Sequence, residues 1–468
     1  ILRRKDTSNI SWSGIFSTCG YGKTHLVLQY GACVIYFCRN NATVMRTIDD
    51  YDVKIFTDNI EETAVEQIRR LISIDVFSGC KIRIMPDVHA GAGCVIGFTG
   101  NLGDRVIPNI VGVDIGCGML VQPFECSGEI DFHELNQFIL SSIPSGRDIR
   151  SQEGLIQLQP YMERYQEAKE LVKELRCFRE LKDVKRLYKA AGTLGGGNHF
   201  IELDRDGQGR MYVVVHTGSR NLGKLVADIY QKQAVKNMSG WDKLMEKQAG
   251  MIEEYKAAGR RAELQDAIRE LHNSFRMQRP PVPAELCWLE GQPREDYLHD
   301  MRLCQRWAQI NRSIITDLLV EYLRAKGNIC STPETLASER FESVHNYIGD
   351  DGIIRKGAIS AREGEKCIIP MNMRDGSLIC TGKGNPDWNW SAPHGAGRIM
   401  SRAQAFQQLS MEAFTDSMRG IYSETVTEQT IDESPMVYKP AEEIIANIRD
   451  TADISCVIKP VFNFKAAQ

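Results

Sequence analysis

The stretch VGVDIGCG, Val111 to Gly118, sets an aspartate and a cysteine three residues apart among three glycines. Gly112, Gly116 and Gly118 remove side chains where another segment of chain must come close. Asp114 offers a hard oxygen and Cys117 a soft sulfur, and a thiolate is able to bridge two metal ions. A free cysteine buried in a turn has the same local signature. The reading of this loop therefore turns on which other side chains the fold delivers to it.

Three further glycine-rich islands carry the remaining unusual residues. PDVHAGAGCVIGF, Pro86 to Phe98, holds Asp87 and His89 two apart, hence on one face of a strand. GTLGGGNHFIEL and VVVHTGSRNLG flank the polar turn DRDGQGR, Asp204 to Arg210. The flanks read as hairpin strands. Folding about Gly207 and Gln208 would set position 199 opposite position 216, so His199 and His216 would share a face. A register slip of one residue would break that pairing. Ser219, Arg220 and the nearby backbone N–H groups form an expected anion seat. The longest island gives His345 and Asn346, then Arg355, Lys356 and Arg362, then a run ending in SAPHGAGR. His394 lies there in a permissive loop with Lys383 and Arg398 near in sequence, which suits a nucleophile or an acid/base facing phosphate.

One Asp, one Cys and four His thus lie in or beside these islands. Two metals sharing a thiolate, with one histidine left for chemistry, is a coherent reading. Two-metal sites suit in-line displacement at phosphorus. A two-metal phosphohydrolase or cyclic phosphodiesterase, and a non-catalytic RNA-end binder, use the same residue types.

Around the islands the pattern is scaffold. Glu61 to Ser73 is helical, 131–190 is largely helical, and 195–219 returns to strand. Residues 222–330 form a long helical insertion broken by Arg279 to Pro283, 340–400 are strand and glycine loop, 401–449 are helical, and Val457 to Phe464 is a strand. This is an α+β pattern with central β-sheets, not a regular βαβ alternation. The 468 residues are 43% hydrophobic and 25% charged, with a net charge of −4, so a nucleic acid would be met by a local patch. The 14 cysteines show no paired spacing, which predicts reduced thiols and a cytoplasmic protein. No apolar run reaches the length of a membrane span. Residues 1–44 lack a clear period and Met45 opens a segment that reads as a natural amino terminus. A leader or mis-set start over 1–44, followed by one catalytic domain over 45–468, is expected.

GVDIGCGM, LGGGNHFIE, HTGSRNLG, HN, RKGA and SAPHGAGR, in this order, resemble the RtcB-type RNA-splicing ligases of bacterial-type length. The resemblance runs from about Met45 to Lys465. It implies a ligase dependent on GTP and two Mn2+ that joins RNA ending in a 2′,3′-cyclic phosphate or 3′-phosphate to RNA with a 5′-hydroxyl. It places Cys117, His199 and His216 on one manganese and Asp114, Cys117 and His345 on the other. It makes His394 the guanylated residue. Asn198, Glu202, Asn346, Ser377, Gly395, Ala396, Tyr438 and Lys465 fall where the guanylate is held, and Arg220 where an RNA phosphate is held. His89 matches a family motif without an assigned role.

Overall fold

The computed structural model describes residues 51–466 apart from residue 153, so the expected leader over 1–44 lies outside the described residues. Two large antiparallel-rich sheets, two small two-stranded ones and a helical layer make up the described chain, an α+β arrangement. The predicted helix near Glu61 runs from Glu62 to Ile72 and buries Ala64, Ile68, Leu71 and Ile72, one stripe at three- and four-residue steps. It connects two parallel strands, Tyr51–Ile55 and Lys81–His89. The second of these pairs with Ile96–Gly100, which pairs in turn with Ile354–Lys356.

A second sheet has seven strands, ordered Phe341–Val344, Gly118–Phe124, Met211–Thr217, Phe200–Arg205, Ala452–Lys465, Gly376–Gly382, Lys366–Asn372. Its two outer strands approach each other, and Ile368 N donates to Ser343 Oγ (3.0 Å), so the sheet is nearly closed. Strand alternation then separates two faces. Met119, Val121, Phe200, Tyr212, Val214, Ile368, Ile379 and Ile458 fill the inside. Ile201, Leu203, Val213 and Val215 face outward into the main core with Ile310, Ile314 and Ile315 of the long helix Gly291–Ala325.

The predicted helical insertion resolves into Asn221–Met238, Trp241–Ala257, Leu264–Ser274 and Gly291–Ala325, and the prolines of Arg279 to Pro283 fall in the break. The predicted helical region over 401–449 resolves into three short helices, Arg402–Gln408, Met411–Ser417 and Ala441–Asn447, with the 3-10 turns Glu428–Glu433 and Pro435–Val437 before the last. Capping serines at Ser401 and Ser410 start the first two afresh. The final strand is longer than expected, Ala452–Lys465, and spans both halves of the sheet.

The long helix also pins the glycine loops. Asn311 accepts from Gly192 N (2.7 Å) and Thr193 N (3.1 Å) and donates to Thr193 O (3.1 Å). Arg312, fully buried, donates to Gly116 O and Thr217 O (both 2.8 Å) and pairs with Glu342. Arg312→Ala would leave Glu342 without its partner and two loop carbonyls unsatisfied. The expected loss is about 3–5 kcal/mol of folding stability, measured by urea denaturation.

Candidate functional site

The turn after the short helix Pro108–Val111 carries Asp114 and Cys117. Gly116 has φ +70°, and a Cβ there would lie 2.7 Å from Gln305 Cα of the long helix. A Cβ at Gly118 would lie 2.5 Å from Ser343 O. The glycines are therefore demanded by close approach of backbone on two sides. His345 follows the strand Phe341–Val344, and its N–H donates to Cys117 O (2.8 Å), so ladder pairing sets the fourth island beside the second.

The hairpin brings in two more imidazoles, in a register one residue off the expected one. Phe200, not His199, pairs with His216. His199 precedes the strand, after Gly195 and Gly197 with φ +89° and +76°, so this loop, not strand alternation, aims its ring. The outcome is still convergence: the rings of His199 and His216 are 5.4 Å apart. Each has its Nδ1 against a backbone carbonyl, Leu194 O for His199 and Asn198 O for His216 (both 3.0 Å). A carbonyl only accepts, so Nδ1 carries a proton in both rings and Nε2 is the atom turned to the cluster. Both Nε2 atoms point at Cys117 Sγ, at 3.5 and 3.4 Å.

Two groups of three donors result, Asp114–Cys117–His199 and Cys117–His216–His345. Cys117 is common to both, as the sequence reading has it, but His199 and His345 exchange places. The shift follows from the loop geometry, which sets His199 Nε2 3.0 Å from Asp114 Oδ2. The donor set of one carboxylate, one thiol and imidazole nitrogens fits divalent transition ions. His345 Nδ1 is buried with no hydrogen-bond partner among the described residues, an atom left open for a ligand. Burial holds His216 and His345 well below the usual imidazole range, hence neutral and able to coordinate. Burial and the charge of Asp114 push the Cys117 thiol well up. A metal arriving there would expel the thiol proton.

His394 stands next in the row, its ring 4.8 Å from that of His345. Its Nδ1 is 2.7 Å from Oδ2 of the fully buried Asp87, which also accepts from the backbone N–H of His394 and of Gly395 (both 3.2 Å). An acceptor at Nδ1 leaves the Nε2 lone pair of His394 free. Asp87 was visible in PDVH but not as the partner of a residue 307 positions away. His89 lines the same cavity and meets Asp87 O at 3.1 Å.

That cavity, about 350 Å³, is lined by Asp114, Cys117, His216 and His345 on one side and by His394. Asn198, Glu202, Asn346, Gly395, Ala396, Tyr438 and Lys465 all line it. Glu433 organises the far wall, accepting from Tyr438 Oη (2.7 Å) and Lys465 Nζ (2.6 Å). Burial would raise its carboxyl, but Lys465, Arg402 and Arg398 outweigh burial and hold it below the usual range. Glu202 accepts from Asn463 Nδ2 (2.6 Å), and burial pushes its carboxyl up to about 7. Asn346 spends its amide on the loops, donating to Asp114 O (3.2 Å) and accepting from Gly357 N (2.9 Å).

Other expected residues lie elsewhere. Ser377 pairs with Pro370 and Ile458 behind the wall, and is not among the cavity-lining residues. Lys383 donates to Arg449 O and pairs with Asp453, away from His394. Arg355 and Lys356 are buried on Asp351 and on backbone carbonyls. Arg220 donates to Thr193 Oγ1 (3.1 Å) and Gly146 O (2.8 Å) and lines a second groove that shares Asp114 with the cavity. Glu433, Asn463, Asn311 and Arg312 carried no sequence signal, because each acts from an ordinary strand, turn or helix.

The family model for tRNA-splicing ligase RtcB matches residues 67–466. The RNA-splicing ligase RtcB of Escherichia coli K12 is 29% identical over 440 residues, covering 89% of this chain and 97% of that protein. The tRNA-splicing ligase RtcB of Aeropyrum pernix is 25% identical over 436 residues, 77% of this chain and 82% of that protein.

The shared thiol gives a stoichiometric test. Cys117→Ala is expected to lose both ions, whereas His345→Ala loses only the one it shares with His216. Metal per chain, measured by plasma mass spectrometry after gel filtration, checks both.

Proposed function

Because the chain belongs to the RtcB family, we propose that it is a GTP- and manganese-dependent RNA ligase. It joins a 2′,3′-cyclic phosphate or 3′-phosphate RNA end to a 5′-hydroxyl end through guanylated His394. The observation that carries this reading is the position of His394. Asp87 holds its Nδ1, and its free nitrogen lies beside two donor groups that share one thiol.

Manganese bound by Asp114, Cys117, His199, His216 and His345 would offset charge on the phosphate oxygens. His394 Nε2 attacks the α-phosphorus of GTP, pyrophosphate leaves, and Asp87 steadies the ring as its charge grows. Asn198, Gly395 and Ala396 flank the guanylate. Glu202 accepts from the donor edge of guanine, and Tyr438 and Lys465, tied to Glu433, border the base. A cyclic phosphate end is first hydrolysed by water to a 3′-phosphate, the P–O2′ bond breaking to leave a 2′-hydroxyl. That phosphate takes GMP from His394, and the 5′-hydroxyl then displaces GMP to seal the strand. Arg220 holds an RNA phosphate beside Asp114. The free cysteines accord with a reducing, cytoplasmic setting.

Incubation with α-phosphorus-labelled GTP and manganese tests the reading. Label that is acid-labile and alkali-stable is expected on wild type and absent from His394→Ala. No label on fully metallated wild type would favour a phosphohydrolase. Asp87→Asn should slow labelling by about 10²-fold or more, since the positioned acceptor is lost.

The Glu202 carboxyl supplies a pH signature. Above about pH 7 it is a carboxylate that accepts from guanine, and below it the group is protonated. GTP affinity, measured by calorimetry on His394→Ala protein, should therefore weaken as pH falls through this range. In Glu202→Gln the affinity should be low and flat across it.

A further inference from the structure

His89 lines the cavity, and the reaction scheme above gives it no task. It ends the strand Lys81–His89, two residues past Asp87, and pairs with Ile96 of the neighbouring strand. The helix Glu62–Ile72 ties down the chain just beyond it. Glu61, at the head of that helix, accepts from Ala90 N (2.6 Å). Gln67 accepts from Gly91 N (3.1 Å) and donates to Gly91 O (2.7 Å). The imidazole is thus held by anchored backbone, on the same strand as the Asp87 that holds His394.

One hydrogen bond sets its chemistry. His89 Nδ1 meets Asp87 O (3.1 Å), which only accepts, so Nδ1 carries the proton. Nε2 has no hydrogen-bond partner among the described residues. Burial lowers the pKa of the ring, and His394 and Arg398 on the facing loop lower it further, against the pull of Asp87 on its own strand. His89 is therefore a neutral base with an unused lone pair. The other titratable groups lining the cavity are engaged. Asp114, Cys117, His216 and His345 are metal donors, His394 is held by Asp87, Glu202 by Asn463, and the remaining four are gathered on Glu433.

Opening a cyclic phosphate end needs such a base. The terminal phosphorus has to come beside His394, because one of its oxygens takes GMP from that ring. The ribose trails behind, and O2′ with it. In-line attack sets water opposite the leaving O2′, hence on the His394 side of the phosphorus, where His89 stands. We infer that His89 is the general base of this step, its Nε2 taking a proton from the attacking water. The water oxygen bonds to phosphorus, and the P–O2′ bond breaks with its electron pair on O2′. O2′ takes a proton from solvent, and the imidazolium returns one to solvent. One water is consumed, and a 3′-phosphate and a 2′-hydroxyl are formed. The oxygen that water brings is left facing His394, placed for the transfer of GMP. His89 does not suit the sealing step, where the 5′-hydroxyl approaches opposite the leaving guanylate. The inference rests on the ligase reading made above.

His89→Asn, which keeps an N–H donor near the place of Nδ1 but lacks Nε2, tests it, with His89→Ala beside it. Full-length, manganese-loaded protein with GTP is given one RNA strand ending in a cyclic phosphate, or the same strand ending in a 3′-phosphate, with a 5′-hydroxyl partner. Opening and joining are followed separately, and labelling of His394 reports that each variant is folded. Opening should fall about 10²-fold or more in both variants, the usual worth of a positioned base. That loss should exceed the loss in joining the 3′-phosphate end by at least about tenfold. The ratio of wild-type to His89→Asn opening rates should shrink as pH falls below about 6.5, where the wild-type ring takes up a proton. Equal loss on both ends, no loss on the cyclic end, or a ratio indifferent to pH would overturn the inference. Failure of wild type to label His394 would count against the ligase reading instead. Hydrolysis of the cyclic end by wild type and by His89→Asn would then still decide the base.

Discussion

Asn311 and Arg312, adjacent on one helix, hold together the loops on which the site is built. Their side chains satisfy backbone groups of Gly192, Thr193, Gly116 and Thr217, all in glycine-rich segments with few ladder bonds of their own. A buried guanidinium with two carbonyls and Glu342 around it is costly to rearrange. It therefore fixes the distance between the turn bearing Asp114 and Cys117 and the strand end bearing His216. The packing of Ile310, Ile314 and Ile315 against the outer face of the sheet sets where those two residues sit.

From that constraint the chemistry follows in short steps. Backbone carbonyls at Leu194 and Asn198 select the tautomers of His199 and His216, so loop position decides which nitrogen faces the thiol. Asp87 does the same for His394 with a carboxylate, a stronger acceptor than a carbonyl. Burial keeps the His216 and His345 imidazoles neutral and, with the charge of Asp114, holds the Cys117 thiol in its protonated form. Glu433 gathers Tyr438, Lys465, Arg398 and Arg402 into one wall, a buried carboxylate ringed by three cationic groups and a phenol.

Much of the site was legible because glycine and histidine mark it. The loops demand glycine for close approach, and a histidine among glycines has few structural duties. The general helix and strand pattern was legible from periodicity, as in Glu62–Ile72. The exact register was not: the one-residue shift at Phe200 and His216 depends on where the strand begins, and the turn sequence does not encode that. The partition of His199 and His345 between donor groups was hidden for the same reason. Lys383 misled because nearness in sequence to an island does not imply nearness in space. Asp87, Asn311, Arg312 and Glu433 were silent because their partners lie far along the chain.

The central claim is that one thiol serves two metal sites divided as Asp114 with His199 and His216 with His345. The most direct measurement is anomalous diffraction at the manganese edge from crystals of manganese-loaded protein. The account predicts two peaks, both bonded to Cys117 Sγ, one flanked by Asp114 and His199 and the other by His216 and His345. A single peak, or a second peak that does not touch Cys117, would contradict it.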